Sequence, residues 1–294
     1  MMLTFLFEQY GYYPVNFKNN TFFINDWVFK LIEIEEDDVY VEKIDEYMVF
    51  VRNVFGGKGP FIIKTRFNKK ISVYDGKRYV LVSVYRCDMC LNDLNAFHCS
   101  FLDDSKKINL NSLLETWKDR VSEIEIKCVN SLRIDSVYYK DNLECSMFCL
   151  GLSQNALQYL SEIIDDYGYN LENLTVVHKR LINLNSFDFF NPFNFVVDHP
   201  LKDLAELYKN DFLTFSELID FFDYYKLDNK TASLFMARVL YPANVLDLLE
   251  DNIQKKEISF NLNYSIGKEF QKIKKVYLHL RQIYNIRPID WLDV

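Results

Sequence analysis

Glycine and proline are scarce in this chain, 8 and 6 of 294 residues, so long flexible linkers are not expected. Positive charge is in deficit as well. A formal net charge of −8 argues against broad binding to nucleic acid or anionic membrane, which needs a basic face. No run approaches the roughly 20 apolar residues that cross a bilayer. The opening segment MMLTFLFEQYGYY is apolar, yet it lacks a leading Lys or Arg and a small-residue cleavage site, so it reads poorly as a signal peptide. Cytosolic synthesis is then the default, with the cysteines as reduced thiols. No fixed-period repeat is evident, which disfavours a solenoid.

Aromatic residues are plentiful. With 25 Phe and 20 Tyr, 16% of the chain is aromatic and 49% hydrophobic, so the core must be rich in rings. The length suits one large domain or two medium ones. Cys87-Asp-Met-Cys90 has zinc-knuckle spacing and His98-Cys99 follows. Adjacent His98 and Cys99 cannot easily face one ion, and no second CxxC exists, so no metal site is expected from the cysteines. Cys145 and Cys149, at helical spacing in an apolar segment, read as small core residues.

Two short strand-like runs, FKNNTFFIN and WVFKLIEIE, are parted by Asn25-Asp26, a hairpin turn pair. An acidic cluster at 35–38 suits a helix N-terminus. Val41, Ile44, Met48, Val51 and Phe55 then keep helical spacing until the Gly56–Gly59 cluster, read as a terminator rather than a P-loop. PFIIKTRF and KRYVLVSVYRC are further strands, separated by a polar stretch with an Asp75-Gly76 turn. From about Leu110 to Tyr167 the chain reads mainly helical, and five amphipathic segments after residue 200 read the same way. The expected architecture is α+β, with a small antiparallel-sheet lobe carrying one helix over 1–90 and a larger, mainly helical lobe over 91–294.

The most informative stretch is TVVHKRLINLNSFDFFNPFNFVVDHPLKDLAELY, residues 175–208. It reads as a strand ending in His178, an irregular loop, an apolar strand ending in Asp198, and a helix carrying Asp203. This layout resembles the protein-kinase-like superfamily in its aminoglycoside/choline phosphotransferase branch. GLSQNALQYL at 151–160, VVDHPLKDLAEL at 196–207 and PIDWL at 288–292 are similar to the YutH-type spore-coat family within that branch. The resemblance implies a protein-kinase-like bilobal fold. It also implies that His178 matches the first position of the catalytic loop, Asp198 the magnesium-binding Asp, and Asp203 the structural Asp that opens a helix.

The departures bear on activity. Where the family carries the aspartate that takes or orients the substrate hydroxyl proton, this chain has Arg180, preceded by Lys179. A guanidinium keeps its proton at physiological pH and cannot serve as a base, though it can hold an anion. Asp188 could replace the missing base, but capping or turning the loop is the favoured reading. Asn191 precedes Pro192 and starts a turn. Asn194 is the better candidate for a second metal ligand, or it satisfies backbone groups. Asp198 is placed as a magnesium ligand or as a partner for Arg180. Lys30 and an α-helical Glu46 or Glu42 are candidates for the lysine–glutamate pair that holds nucleotide phosphates; alternatively Lys30 faces solvent and the acids form the wet side of their helix. No glycine-rich loop lies between the first strands, only Phe17-Lys18-Asn19-Asn20. His199 and Asp203 read as structural.

The leading expectation is therefore a degenerate kinase-like protein acting as a binding or assembly component. Its partners would be proteins, spore-coat proteins by resemblance, with no nucleic acid, no membrane and no cofactor. Its setting would be bacterial, made in the cytoplasm and deposited on the spore, with the 187–195 loop serving partner contacts. The rival is a small-molecule phosphotransferase using Mg-ATP, with Asp198 and Asn194 on the metal and Asp188 as base.

Overall fold

The structure, a computed structural model, describes residues 2–101, 107–254, 262 and 264–293. In chain order the first elements are α1 (Met2–Tyr10), β1 (Thr21–Ile24), β2 (Trp27–Ile34), α2 (Asp38–Val54), β3 (Phe61–Ile63), β4 (Ile71–Tyr74), β5 (Lys77–Tyr85) and α3 (Leu91–Ser100). Then come β6 (Ile108–Asn109), α4 (Leu110–Ser131), α5 (Tyr139–Tyr167) and β7 (Asn170–Leu171). A hairpin follows, β8 (Thr175–His178) and β9 (Phe195–Asp198), with α6 (Ser186–Phe190) and a 3-10 turn (Pro192–Asn194) between its strands. Helices α7 (Leu201–Lys209), α8 (Phe215–Tyr225), α9 (Asn229–Leu240), α10 (Ala243–Gln254) and α11 (Ile266–Ile283) come last.

The chain divides into two compact units: 1–102 with 175–198, and 103–174 with 199–294. This division differs from a cut at residue 90. Helix α3 and the β8–β9 hairpin belong with the sheet, because α3 packs on both α2 and β8.

In the first unit β5 is the central strand. It pairs antiparallel with β2 along its whole length, and β3 and β4 share its other edge. The Asn25-Asp26 turn closes β1 onto β2 with Ile24 opposite Trp27. Asp75 and Gly76 both take positive φ, 52° and 75°, the geometry that matches the strand twist in a two-residue hairpin. Strand β4 was missed by the sequence reading because its four residues fall in a polar stretch, and it exists only by pairing with β5.

Helix α1 was also not foreseen. Its Phe5, Leu6 and Tyr10 cover one face of the sheet, against Phe22, Phe29, Leu31, Tyr79 and Leu81. Phe22 and Phe29 stack across the β1–β2 pair at 4.9 Å. The opposite face of β2 and β5 carries Val28, Lys30, Ile34, Val80, Val82 and Val84, and α6 packs against β5 there. Asp37 caps α2, its Oδ1 accepting from Tyr40 N at 2.8 Å, and Val41, Ile44, Met48 and Val51 form the buried stripe. Gly56 and Gly57, both at positive φ, end that helix.

The second unit is built on α5, whose 29 residues pack against α4 and α9. Ser153 lies in the middle of α5, and its hydroxyl donates back to Cys149 O at 2.8 Å. The five later helices stand where amphipathic spacing placed them, and Thr214 and Asp228 cap α8 and α9. Residues 229–251 are apolar enough over 18 positions to cross a membrane by composition, but that window is 83% buried and broken between α9 and α10.

Truncating Leu6 to Ala should open a cavity between α1 and the sheet, since the side chain is fully buried. A loss of about 3 kcal/mol is expected in urea unfolding; a change below about 0.5 kcal/mol would show that α1 does not seal that face.

Candidate functional site

Strands β8 and β9 pair Thr175 with Asp198 and His178 with Phe195. The loop they enclose is held by polar groups of its own. Asn194 grips the backbone of Arg180 with both ends of its amide: Oδ1 accepts from Arg180 N at 3.1 Å, and Nδ2 donates to Arg180 O at 2.6 Å. Its own carbonyl accepts from Lys179 N at 2.6 Å. The Arg180 side chain is half-buried and donates from Nη1 to Lys179 O at 2.9 Å.

Asp188 sits in the first turn of α6. Its Oδ2 accepts from Asn183 Nδ2 and from Asn185 Nδ2, each at 2.6 Å, while its backbone N donates to Asn185 Oδ1 at 2.9 Å. Asn185 is thereby the helix cap, and Asp188 is engaged inside an Asx cluster. Asn191 starts the 3-10 turn, as the Asn-Pro pair predicts, with Oδ1 accepting from Phe193 N at 3.3 Å. The loop is also tied to the segment after β5. Met89 N donates to Leu184 O at 3.0 Å, Ser186 N donates to Cys87 O at 3.2 Å, and Cys87 N donates to the Ser186 hydroxyl at 3.3 Å. Burial pushes the Cys87 thiol up, which keeps it neutral.

His178 is fully buried. Its Nε2 lies 2.7 Å from Phe189 O; a carbonyl only accepts, so this nitrogen carries the proton. The ring stacks on Phe97 at 5.2 Å and meets Phe195 edge-on at 5.5 Å. Phe189 packs on Phe97 and on Phe190, and Phe190 on Phe55. The loop was expected to offer its rings to partners. Phe189, Phe190 and Phe195 are instead buried, because ring burial in this unit stabilises more than exposure can.

Lys30 stands on β2 opposite Val82, half-buried, with its ammonium 4.7 Å above the Phe187 ring. Glu46 lies on the exposed side of α2, and among the described residues no ion pair joins it to Lys30. Glu42 and Asp45 pair with Lys70 instead, at 2.5 and 2.7 Å. Asp198 is buried at the end of β9. In the helical unit, His199 Nδ1 accepts from Leu201 N at 3.3 Å, and Asp203 is fully buried in the first turn of α7. His98 is buried and Cys99 exposed on α3, so they face different surroundings.

The first unit therefore holds Lys30, Glu46, His178, Arg180, Asp188, Asn194 and Asp198, but among the described residues Glu46, on the exposed side of α2, makes no ion pair with Lys30. Asn183 and Asn185 are residues the sequence reading missed, although the spacing Asn183-x-Asn185-x-x-Asp188 is itself a capping signal. Asn194→Ala removes two bonds to buried backbone and should cost about 2 kcal/mol in denaturant unfolding. It should also speed hydrogen exchange at the Arg180 amide; unchanged exchange would show that the clamp is not what orders the loop.

The chain matches the family described as "Spore coat putative kinase YutH" over residues 5–278. It is 23% identical over 215 residues to the endospore coat-associated protein YutH of Bacillus subtilis strain 168, a match covering 63% of this chain and 61% of that protein. Among solved structures it is similar to an aminoglycoside phosphotransferase from Alicyclobacillus acidocaldarius, with a TM-score of 0.52, 11% identity and 91% of each chain covered. An AMP-bound spectinomycin phosphotransferase aligns with a TM-score of 0.49, 12% identity and 94% of each chain covered. The fold is accordingly α+β and protein-kinase-like, and the chain belongs to the YutH family of spore-coat, kinase-like proteins.

Proposed function

We propose that this chain is a non-catalytic member of its family, a kinase-like binding or assembly component that works with protein partners of the spore coat. On this reading it is made in the cytoplasm, deposited on the spore, and needs no cofactor. The observation that carries the proposal is that the loop's polar side chains are engaged with one another and with the loop backbone.

Magnesium held by the resemblance's ligand pair would need an Asn oxygen beside Asp198. The Asn194 amide plane is instead fixed by Arg180 N and O. A substitute base would need Asp188 free to accept a substrate proton, and two asparagine amides hold its carboxylate. The residue at the expected base position is Arg180. Lys30, the candidate for nucleotide phosphates, carries the Phe187 ring on its ammonium. The residues present do not fit Mg-ATP as they stand, so no transfer step is assigned. The relative's printed role in the endospore coat supports the setting.

One observation favours the rival phosphotransferase. Lys30 and α6, the helix that carries Asp188, lie on the same side of the sheet. A thermal-shift titration with Mg-ATP separates the readings. A nucleotide at a hundredfold excess over its Kd would add about 2.7 kcal/mol of stability. No shift is expected at millimolar nucleotide. A shift that disappears in Asp198→Ala would overturn the proposal, and loss of product formation in Asp188→Ala would then identify the base. A second measurement tests the ring cap: Phe187→Ala should leave the fold intact. If that variant alone gains a nucleotide-dependent shift, the ring is what closes the site.

A further inference from the structure

A cavity of about 310 Å3 lies wholly within the helical unit, where the end of α7, the start of α10 and the start of α11 converge. Its size falls at the lower end of the range for small-molecule sites. Part of its wall is apolar, from Pro242, Val245, Leu248 and Leu262. The rest is charged: three lysines, Lys209, Lys268 and Lys272, face two acids, Asp211 and Glu269.

The donor inventory is uneven. Asp211 accepts from Lys268 Nζ at 2.6 Å and from Lys272 Nζ at 2.7 Å. Lys272 gives one further N–H to Lys209 O at 2.7 Å. An ammonium has three donors, so Lys272 keeps one and Lys268 keeps two beyond these bonds. Lys209 is turned to the Arg238 and Tyr241 carbonyls. The wall also carries the polar side chains of Asn210, Asn244 and Ser265.

We propose that this cavity binds a small hydroxylated oxyanion, a phosphate ester or carboxylate of about the size of one sugar. Lys268 and Lys272 meet the anion, and its hydroxyls lie along the polar wall of Asn210, Asn244 and Ser265. The charge balance selects the ligand's sign: three ammoniums against two carboxylates leave an excess of one positive charge. The apolar residues account for a compact organic guest rather than free inorganic phosphate. The site does not depend on the kinase-like loop, and its test is independent of any nucleotide result.

The test is calorimetric titration of the full chain at low salt with glucose 6-phosphate, gluconate and glucose. Binding of at least one of the two anions is expected in the millimolar range or tighter, with glucose much weaker. Glucose 6-phosphate alone would identify the ester as the ligand class, and gluconate alone the carboxylate. Lys268→Gln, at an exposed position, should weaken the bound anion about tenfold or more, a loss of one lysine contact. Lys118→Gln on α4, an exposed lysine remote in sequence from the cavity, should leave it unchanged. No heat with either anion, binding of glucose as tight as that of the anions, or full affinity in a Lys268→Gln protein whose circular dichroism is that of the parent would each overturn the proposal.

Discussion

The bond from His178 Nε2 to the Phe189 carbonyl is made inside a cluster of rings, out of contact with solvent. In such surroundings an unmade bond costs far more than one at a surface, so imidazole and carbonyl fix each other. That one contact ties the end of β8 to α6 and seats Phe189 against Phe97. Phe97 also meets Phe195 at the start of β9. The loop between the strands then has little freedom left, and the Asn194 clamp and the Asn183–Asn185–Asp188 cluster settle its backbone. His178 is thus a structural residue with a defined tautomer. The resemblance implies the first position of a kinase-like catalytic loop for it, and its contacts here are those of a buried polar spacer.

Much of the fold could be read from spacing. The two hairpin turns, the α2 stripe, the glycines that end it and the five later helices follow from local preferences that agree with the final structure. The failures are those of elements that exist only through distant partners. Strand β4 is four residues of mixed polarity paired to β5. Helix α1 is short, and with Phe7 exposed beside Thr4 and Glu8 its apolar residues do not keep to one face. The grouping of α3 and the β8–β9 hairpin with the sheet is a property of contacts between segments far apart in the chain, which no local pattern carries.

At the site, geometry shows what each candidate side chain touches. Asn194 was either a metal ligand or a partner for backbone groups, and its amide bonds to Arg180 describe the second arrangement. Asp188 was either a base or a turn residue, and it is surrounded by the amides of a turn. Capping or turning was the favoured reading of Asp188, and the asparagines at capping distance, Asn183 and Asn185, carried the signal for its partners. Lys30 is the residue least legible from sequence. Alternation gave it a face of the strand, while the ring above it comes from a helix more than a hundred residues later.

The discontinuous composition of the sheet-bearing unit bears on how the polypeptide acquires its shape during synthesis. The chain leaves that unit at residue 102 and returns only at 175. A ribosome that has made the first hundred residues has therefore produced β1 to β5 and α3 without the hairpin that covers Phe97. Until the chain has been made through Asp198, Phe97 and the side of α3 that meets β8 lack the hairpin's share of their native cover. The nascent half-unit is then a natural client for a holdase, and its exposure time is set by elongation rather than by the speed of strand pairing.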